Sequence, residues 1–430
     1  MVEVWLPYGD TEIMARIPAE LFLGSIDPPQ LPASANPEAD IQNAIEKPLD
    51  ATRLQDMVSE DSKIALIVED GIPPSLLRLS LKHVLEALME GGAKKQNVTL
   101  IFATGFEGMR DAESLAAILE KDAVASYKII IHNPWDQENL LPVGETKRGT
   151  KVLLNRAFLE ADIKICLGVL ELHEFAGYTG VRTSILPGIS GLSTIKASLG
   201  FLTDENARPG ILEDNPVYSE ILEANSMAEP DFALTLILNR HGNPVKAFGG
   251  EAKRVFEEGV RILDSMRKVP IKDTADIVLV AADGAPKDHS LSRAIGCLQN
   301  ALEALRLGGF LILAAECGGG YGSKTFYDWM KGFKDIESLK RNIRRNYEFG
   351  CEKAYILARA IEKARVILVS SLPHFYTQEV FRVQRASTVS EALEISYHRI
   401  PKRPKVLVIP YGMTTLPLRI KVQREEGSQP

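Results

Sequence analysis

Cysteine is scarce in this chain, four in 430 residues. Cys166, Cys297, Cys317 and Cys351 are widely scattered, and no two stand at the short gap used by zinc and dithiol motifs. Disulfide staples and cysteine metal clusters are excluded, so the four read as free, buried thiols of a reducing cytoplasm. A basic excess is also missing. Lys and Arg total 50 against 57 Asp and Glu, a net charge of −7 at pH 7, so nothing draws phosphate backbones and no nucleic-acid partner is expected. No apolar run reaches the roughly 18 residues of a membrane span, and Met1 to Tyr8 holds no basic stretch leading into an apolar one. The expectation is a cytoplasmic protein without a membrane anchor.

The chain does have ample core-forming material: 45% hydrophobic residues, 25% charged, and length for more than one domain. Residues 2 to 18 hold two short alternating runs around Pro7, Gly9 and Asp10, which predicts a β-hairpin with one buried face. Residues 24 to 40 read as a surface connection. From Lys63 the pattern turns to continuous apolar runs, Ile64 to Val68, Val98 to Phe102, Ile129 to Ile131 and Ile163 to Val169, alternating with helix-period stretches. Such runs predict strands of a parallel sheet buried on both faces. The β/α alternation restarts after Arg267 to Asp273, which contains Pro270. The predicted fold is α/β, two tandem domains (1–270 and 271–430) with a cleft between them and the second closing over it.

Open α/β sheets bind ligands at the carboxyl ends of their strands, so the strand-to-loop junctions are the places to search. Val68-Glu69-Asp70-Gly71-Ile72-Pro73-Pro74 offers two acids, with Asp70 equally suited to cap the helix that follows. Ala103 to Arg110 carries Gly105, Glu107 and Gly108. Glu171 to Thr183 sets His173 after an apolar strand, followed by glycines and Arg182, the ingredients of a proton-transfer group beside an anion-binding nest; Ile185-Leu186-Pro187-Gly188 follows. Ala282 to His289 opens a helix carrying Arg293, with Asp288 placed to cap it. Gly318 to Gly322 lacks both P-loop and dinucleotide spacing and reads as a glycine turn before a helix.

Together these segments resemble the nickel-dependent lactate racemase family. The closest match is Leu172 to Gly191, where His173, the Ala-Gly-Tyr-Thr-Gly run and Leu-Pro-Gly are similar to the family's His-x-x-Ala-Gly-aromatic-Ser/Thr-Gly-Gly-x-Lys followed by Pro-Gly. His132-Asn133-Pro134, Leu154-Asn155-Arg156, Phe248-Gly249-Gly250, Gly284 to Asp288 and Thr415-Leu416-Pro417 extend it over most of the chain. The resemblance implies an amino-terminal domain for a nickel-pincer nucleotide, which accepts a hydride from a hydroxy acid while a histidine takes the hydroxyl proton. His173 falls on one of the two acid/base histidines and Glu107 on the other. Thr183 replaces the lysine that tethers the pincer, and Leu199 replaces the nickel-ligating histidine. Ile72 stands for an arginine, Glu69 keeps its acidic neighbour, and Ser292, Arg293 and Gly296 replace a Tyr-Gln-x-x-Lys set.

The function this implies is a racemase or epimerase for a 2-hydroxy acid or related small anion, with an altered active site. His173 and Glu107 are its expected catalytic pair; Arg182, Arg293 and Glu69 contact the substrate; Gly180, Thr183 and Gly188 line the family's cofactor position. No residue is assigned to a metal, and the pincer is expected to be absent or untethered. The alternative is a binding protein for a small anionic ligand. Substrate identity and oligomeric state stay open at this level.

Overall fold

Two packing units emerge from a computed structural model that describes residues 1–104 and 126–419. One unit comprises Met1–Pro29 with Arg267–Pro430, the other Gln30–Met266. In the first, β1 (Val2–Tyr8) and β2 (Thr11–Ile17) pair as a hairpin whose register runs from Val2↔Ile17 to Tyr8↔Thr11, with Gly9 turning at φ +55. Leu6, Ala15 and Ile17 point into the same core as Ile277 and Phe310. The hairpin, which the sequence reading assigned to the first domain, thus packs with the carboxyl-terminal unit. β3 (Phe22–Ser25) runs into the first residues of the span expected to be a plain surface connection, and a helix at Pro37–Glu46 begins before that span ends.

The unit Gln30–Met266 is built on β4 (Ile64–Glu69), β5 (Val98–Ala103) and β6 (Lys128–Ile131). A hairpin of β7 (Leu140–Glu145) and β8 (Lys151–Asn155) follows, then β9 (Ile163–Leu170), the short pair β10 (Leu172–His173) and β11 (Gly177–Tyr178), β12 (Phe232–Leu238) and β13 (Pro244–Gly250). The main sheet has the order β13-β12-β9-β4-β5-β6, parallel except for β13. Ile64, Leu66, Ile67 and Val68 are buried because helices cover both faces, and each such side chain contributes roughly 1.5–3 kcal/mol relative to exposure. Helix Pro74–Glu90 shows how one cover forms. Proline occupies its first turn, and Leu77, Leu81, Val84 and Leu88 recur at helical spacing to make its buried face. From β4 the chain order runs one way through β5 and β6 and the other way through β9 and β12, so the topological switch lies between β4 and β9.

In the other unit β14 (Lys268–Ile271) pairs with β20 (Leu416–Arg419), both apart from the main sheet. The segment expected to be a plain boundary around Pro270 is therefore a strand, and proline is tolerated because β14 has a partner on one side only. The six-stranded sheet is wholly parallel, in the order β18 (Gln384–Ala386), β17 (Arg365–Val369), β16 (Leu305–Ala314), β15 (Ala275–Ala281), β19 (Val406–Ile409), β3. No helix of the described residues is long and apolar enough to cross a membrane. All four cysteines are free and buried.

Candidate functional site

Glu69 closes β4 at the switch point and is the residue around which the site is assembled. Its Oε2 accepts the Val169 N–H of β9 at 3.1 Å, and its Oε1 lies 3.0 Å from the Thr183 hydroxyl. Gly168 makes the close approach possible, since a Cβ there would meet Oε2 at 2.1 Å. Burial pushes the carboxyl up to about 7, against the Ser184 and Thr183 hydroxyls and the Val169 N–H, which all favour the charged form, and the charge of Glu171 adds a smaller push upward. The Ser184 hydroxyl faces the carboxylate and favours its ionised form, though it closes no hydrogen bond of normal geometry. Cys166, one strand pair away, is raised by burial and then by Glu69. A small hollow lined by Glu69, Ile72, Phe102 and Thr104 opens beside the carboxyl, between the ends of β4 and β5. Asp70, expected as a helix cap, instead accepts the Gly71 N–H, and the helix starts at its proline without a side-chain cap.

The segment after β9 is held back onto that strand. Thr179 bonds the Val169 carbonyl and accepts the Glu171 N–H, and Asn215 donates to the Phe175 carbonyl. This fixes His173 in β10, where its Nδ1 accepts the N–H groups of Phe175 at 3.1 Å and Ala176 at 3.0 Å. With two donors on Nδ1, the neutral ring carries its proton on Nε2. His132 shows the opposite case. It is buried, its Nε2 faces the Ser190 carbonyl and its Nδ1 faces Asn155, a saturated structural imidazole pushed down from its ordinary value by burial.

Arg182, expected to meet a ligand, is placed differently. Its guanidinium lies 4.4 Å from the ring centre of Phe256 and 5.5 Å from that of Tyr218, and it donates to the Tyr218 hydroxyl. Its carbonyl accepts Asn225. A buried guanidinium needs such faces to offset lost hydration, and burial lowers its affinity for a proton. Gly180, at φ +102, leaves its carbonyl to Thr183, and the Gly188 N–H bonds the Thr183 carbonyl. These glycines serve the turn itself. Arg293 lies in the other unit, exposed, near the Pro286 carbonyl. Glu107 lies outside the described residues.

Asp288 does not cap the helix after it. Wholly buried, it accepts the N–H groups of Gly9 at 2.7 Å and Glu316 at 3.1 Å, tying the hairpin to the end of β16. Ser323, which breaks the resemblance of Gly318–Gly322 to a phosphate loop, caps helix Lys324–Lys331 through the Phe326 N–H. The sequence reading missed Gly168 and Cys166. A glycine inside the apolar run of β9 was the available signal, since it marks a close approach.

This two-unit α/β architecture, with an acid at the sheet's switch point and a histidine at the adjoining strand end, is that of a known enzyme class. The chain matches the lactate racemase N-terminal domain over residues 8–210 and the lactate racemase C-terminal domain over residues 271–416. It belongs to the lactate racemase family. It is 29% identical over 425 residues to the lactate racemase of Thermoanaerobacterium thermosaccharolyticum, covering 97% of this chain and 99% of that one. To the lactate racemase of Lactiplantibacillus plantarum it is 26% identical over 426 residues, covering 96% and 99%. The solved apoprotein of the Thermoanaerobacterium enzyme matches with a TM-score of 0.88 at 28% identity, over 97% of this chain and 100% of that chain. A Thermotoga maritima protein shares the fold, with a TM-score of 0.60 at 14% identity over 89% and 97% of the two chains.

The family's nickel-pincer nucleotide needs an amine to tether it and a lone-pair donor for the metal. At the position the resemblance assigns to the tether, the Thr183 hydroxyl is 2.7 Å from the Gly180 carbonyl and beside Glu69, and Leu199, at the position it assigns to the metal ligand, ends helix Leu192–Leu199 and has no lone pair. The residues present do not fit a pincer tethered and ligated in that manner.

Proposed function

We propose that this protein is a racemase or epimerase acting on a small 2-hydroxy acid or a related anion, with an active site altered from that of the lactate racemases. The observation that carries the reading is the full-length likeness to lactate racemases together with His173 in β10, whose Nδ1 accepts the N–H groups of Phe175 and Ala176. Inversion at the α-carbon breaks its bond to hydrogen on one face and forms the same bond on the other, with no net oxidation. Glu107 and His173 are the pair we assign to that exchange. No step is routed through a pincer nucleotide, because Thr183 supplies no amine for the tether and Leu199 no ligand for nickel. We place the activity in the cytoplasm, where four unpaired thiols persist.

The test is direct. Single enantiomers of lactate and of other short 2-hydroxy acids are incubated with the protein, and the opposite enantiomer is followed by chiral chromatography. Interconversion lost in His173→Ala is the expected result. Absence of interconversion for every acid, with retained binding, would move the reading to the anion-binding protein. Protein from a host that makes the pincer is expected to show no mass adduct and substoichiometric nickel; one nickel per chain or a nucleotide-sized adduct contradicts the assignment at Thr183 and Leu199.

A further inference from the structure

The side chain of Asn215 is wholly buried and uses both ends of its amide. Its Oδ1 accepts the N–H groups of Val217 at 3.0 Å and Tyr218 at 3.2 Å, orphan donors in the first turn of helix Pro216–Met227. Its Nδ2 donates to the carbonyls of Phe175 at 2.8 Å and Ile211 at 2.9 Å. The reversed amide would set oxygen against two carbonyls and the NH2 group against two N–H groups, so these partners fix its orientation. Capping needs only the oxygen. The bond to Phe175 is surplus to that task, and it leads to His173. The Phe175 carbonyl and the Ala176 N–H are opposite ends of one planar peptide group. Asn215 holds the carbonyl end, and His173 Nδ1 accepts from the N–H end at 3.0 Å. Turned over, the same group would bring a carbonyl toward the ring and call for the proton on Nδ1.

We propose that Asn215 is a positioning residue for His173: through the peptide between Phe175 and Ala176 it keeps Nδ1 an acceptor and the ring hydrogen on Nε2, so that the neutral imidazole meets a substrate oxygen as a donor. The part played by substrate rests on the reading of His173 as a residue of a hydroxy-acid site; the coupling of Asn215 to the ring does not. Donation to the Phe175 carbonyl polarises the peptide and strengthens its N–H as a donor, as hydrogen bonds in series do. The following residue is built for the same contact. Gly177, at φ +82, lies so close to the Ile211 carbonyl that a Cβ would meet it at 2.4 Å, and its own carbonyl accepts the Gly210 N–H at 3.0 Å. The chain before Asn215 and the turn after His173 are thus fitted to one another at the bond that matters. The Phe175 N–H, from the preceding peptide, reaches Nδ1 at 3.1 Å without any tie to Asn215. It supports the same tautomer, so the contribution of Asn215 is the second of two donors.

The experiment uses the full chain with nitrogen labels at histidine and alanine, and NMR signals of His173 identified by their absence from His173→Gln. In the native protein the Ala176 nitrogen is expected to couple across its hydrogen bond to His173 Nδ1, with the ring hydrogen on Nε2. No such coupling overturns the proposal whatever the variants do. Asn215→Ser keeps an oxygen to cap the helix and removes the amide donor, and Asn215→Asp is the second variant of the same kind; circular dichroism shows that each has folded. Weakened or lost coupling and a new Nδ1–H signal are expected in both. Coupling and tautomer unchanged in the folded variants overturn the proposal. Where lactate or another short 2-hydroxy acid is interconverted, kcat/KM in Asn215→Ser should fall by roughly two- to tenfold, as for the loss of one hydrogen bond. Native kcat/KM beside a shifted tautomer overturns the positioning role. If no acid is interconverted the racemase reading fails, while the spectra still decide what Asn215 does to His173.

Discussion

Replacing Glu69 by glutamine should make the Gln30–Met266 unit more stable at neutral and alkaline pH and leave it nearly unchanged in acid. A carboxyl pushed up to about 7 in the fold, from 4.5 when unfolded, binds its proton more tightly in the native state. The stability this gives is complete below about pH 4.5 and is lost as pH rises toward 7, because above that point a charge must be held where burial opposes it. The full loss is about 3 kcal/mol, at roughly 1.4 kcal/mol for each unit between the two values. Glutamine has no proton to lose, and its amide oxygen can accept the Val169 N–H as the carboxyl does. Hydrogen exchange of β4 and β9 amides, comparing the two proteins at each pH so that intrinsic rates cancel, is the suitable assay. Protection in Glu69→Gln should exceed that of the native protein by roughly a hundredfold at pH 8 and only slightly at pH 4.5. Equal protection at pH 8, or a native protein that gains on the variant as pH rises, would refute the reasoning.

Gly168→Ala places a methyl against Glu69 Oε2 and should cost about 1–3 kcal/mol by denaturant unfolding, with part of the loss recovered when Glu69 is also made alanine. Nitrogen NMR of His173 should show the proton on Nε2 in the neutral ring; a proton on Nδ1 would contradict the two backbone donors. Arg182→Leu, which removes the guanidinium from the rings of Tyr218 and Phe256, should destabilise by about 2 kcal/mol, and denaturant midpoints check it. Asp288→Ala strands the N–H groups of Gly9 and Glu316 and should loosen the β1–β2 hairpin, read as faster exchange of its amides.

The strands of both parallel sheets were legible because burial on two faces leaves an unbroken apolar run, as in Ile64 to Val68 and Ile277 to Ala281. The hairpin β1–β2 was legible from alternation around Gly9. Its place was not, because the contacts of Leu6 with residues beyond 270 leave no local trace. Strand β14 was hidden by Pro270, an ordinary strand breaker that an edge position tolerates. At the site, position alone singled out Glu69 and His173. Arg182 was misleading since its partners, Tyr218 and Phe256, come from distant helices. Asp288 was misleading in the same way: its Oδ2 accepts from Gly9, at the far end of the sequence, and from Glu316.

The replacements at positions 72 and 183 are best understood as one change. Where the resemblance places arginine and lysine, this chain has Ile72, buried with 2% exposure, and Thr183. Removing two basic side chains from around a buried carboxylate would ordinarily leave an unpaired charge, at a cost of several kcal/mol. Here the acid is retained, Gly168 still leaves room for it, and the residue at 183 brings a hydroxyl within hydrogen-bond reach of it. An isoleucine beside it adds apolar surface, which favours the uncharged form. The pH dependence of Glu69 measures the balance between that burial and the hydroxyls of Thr183 and Ser184, which favour the charge.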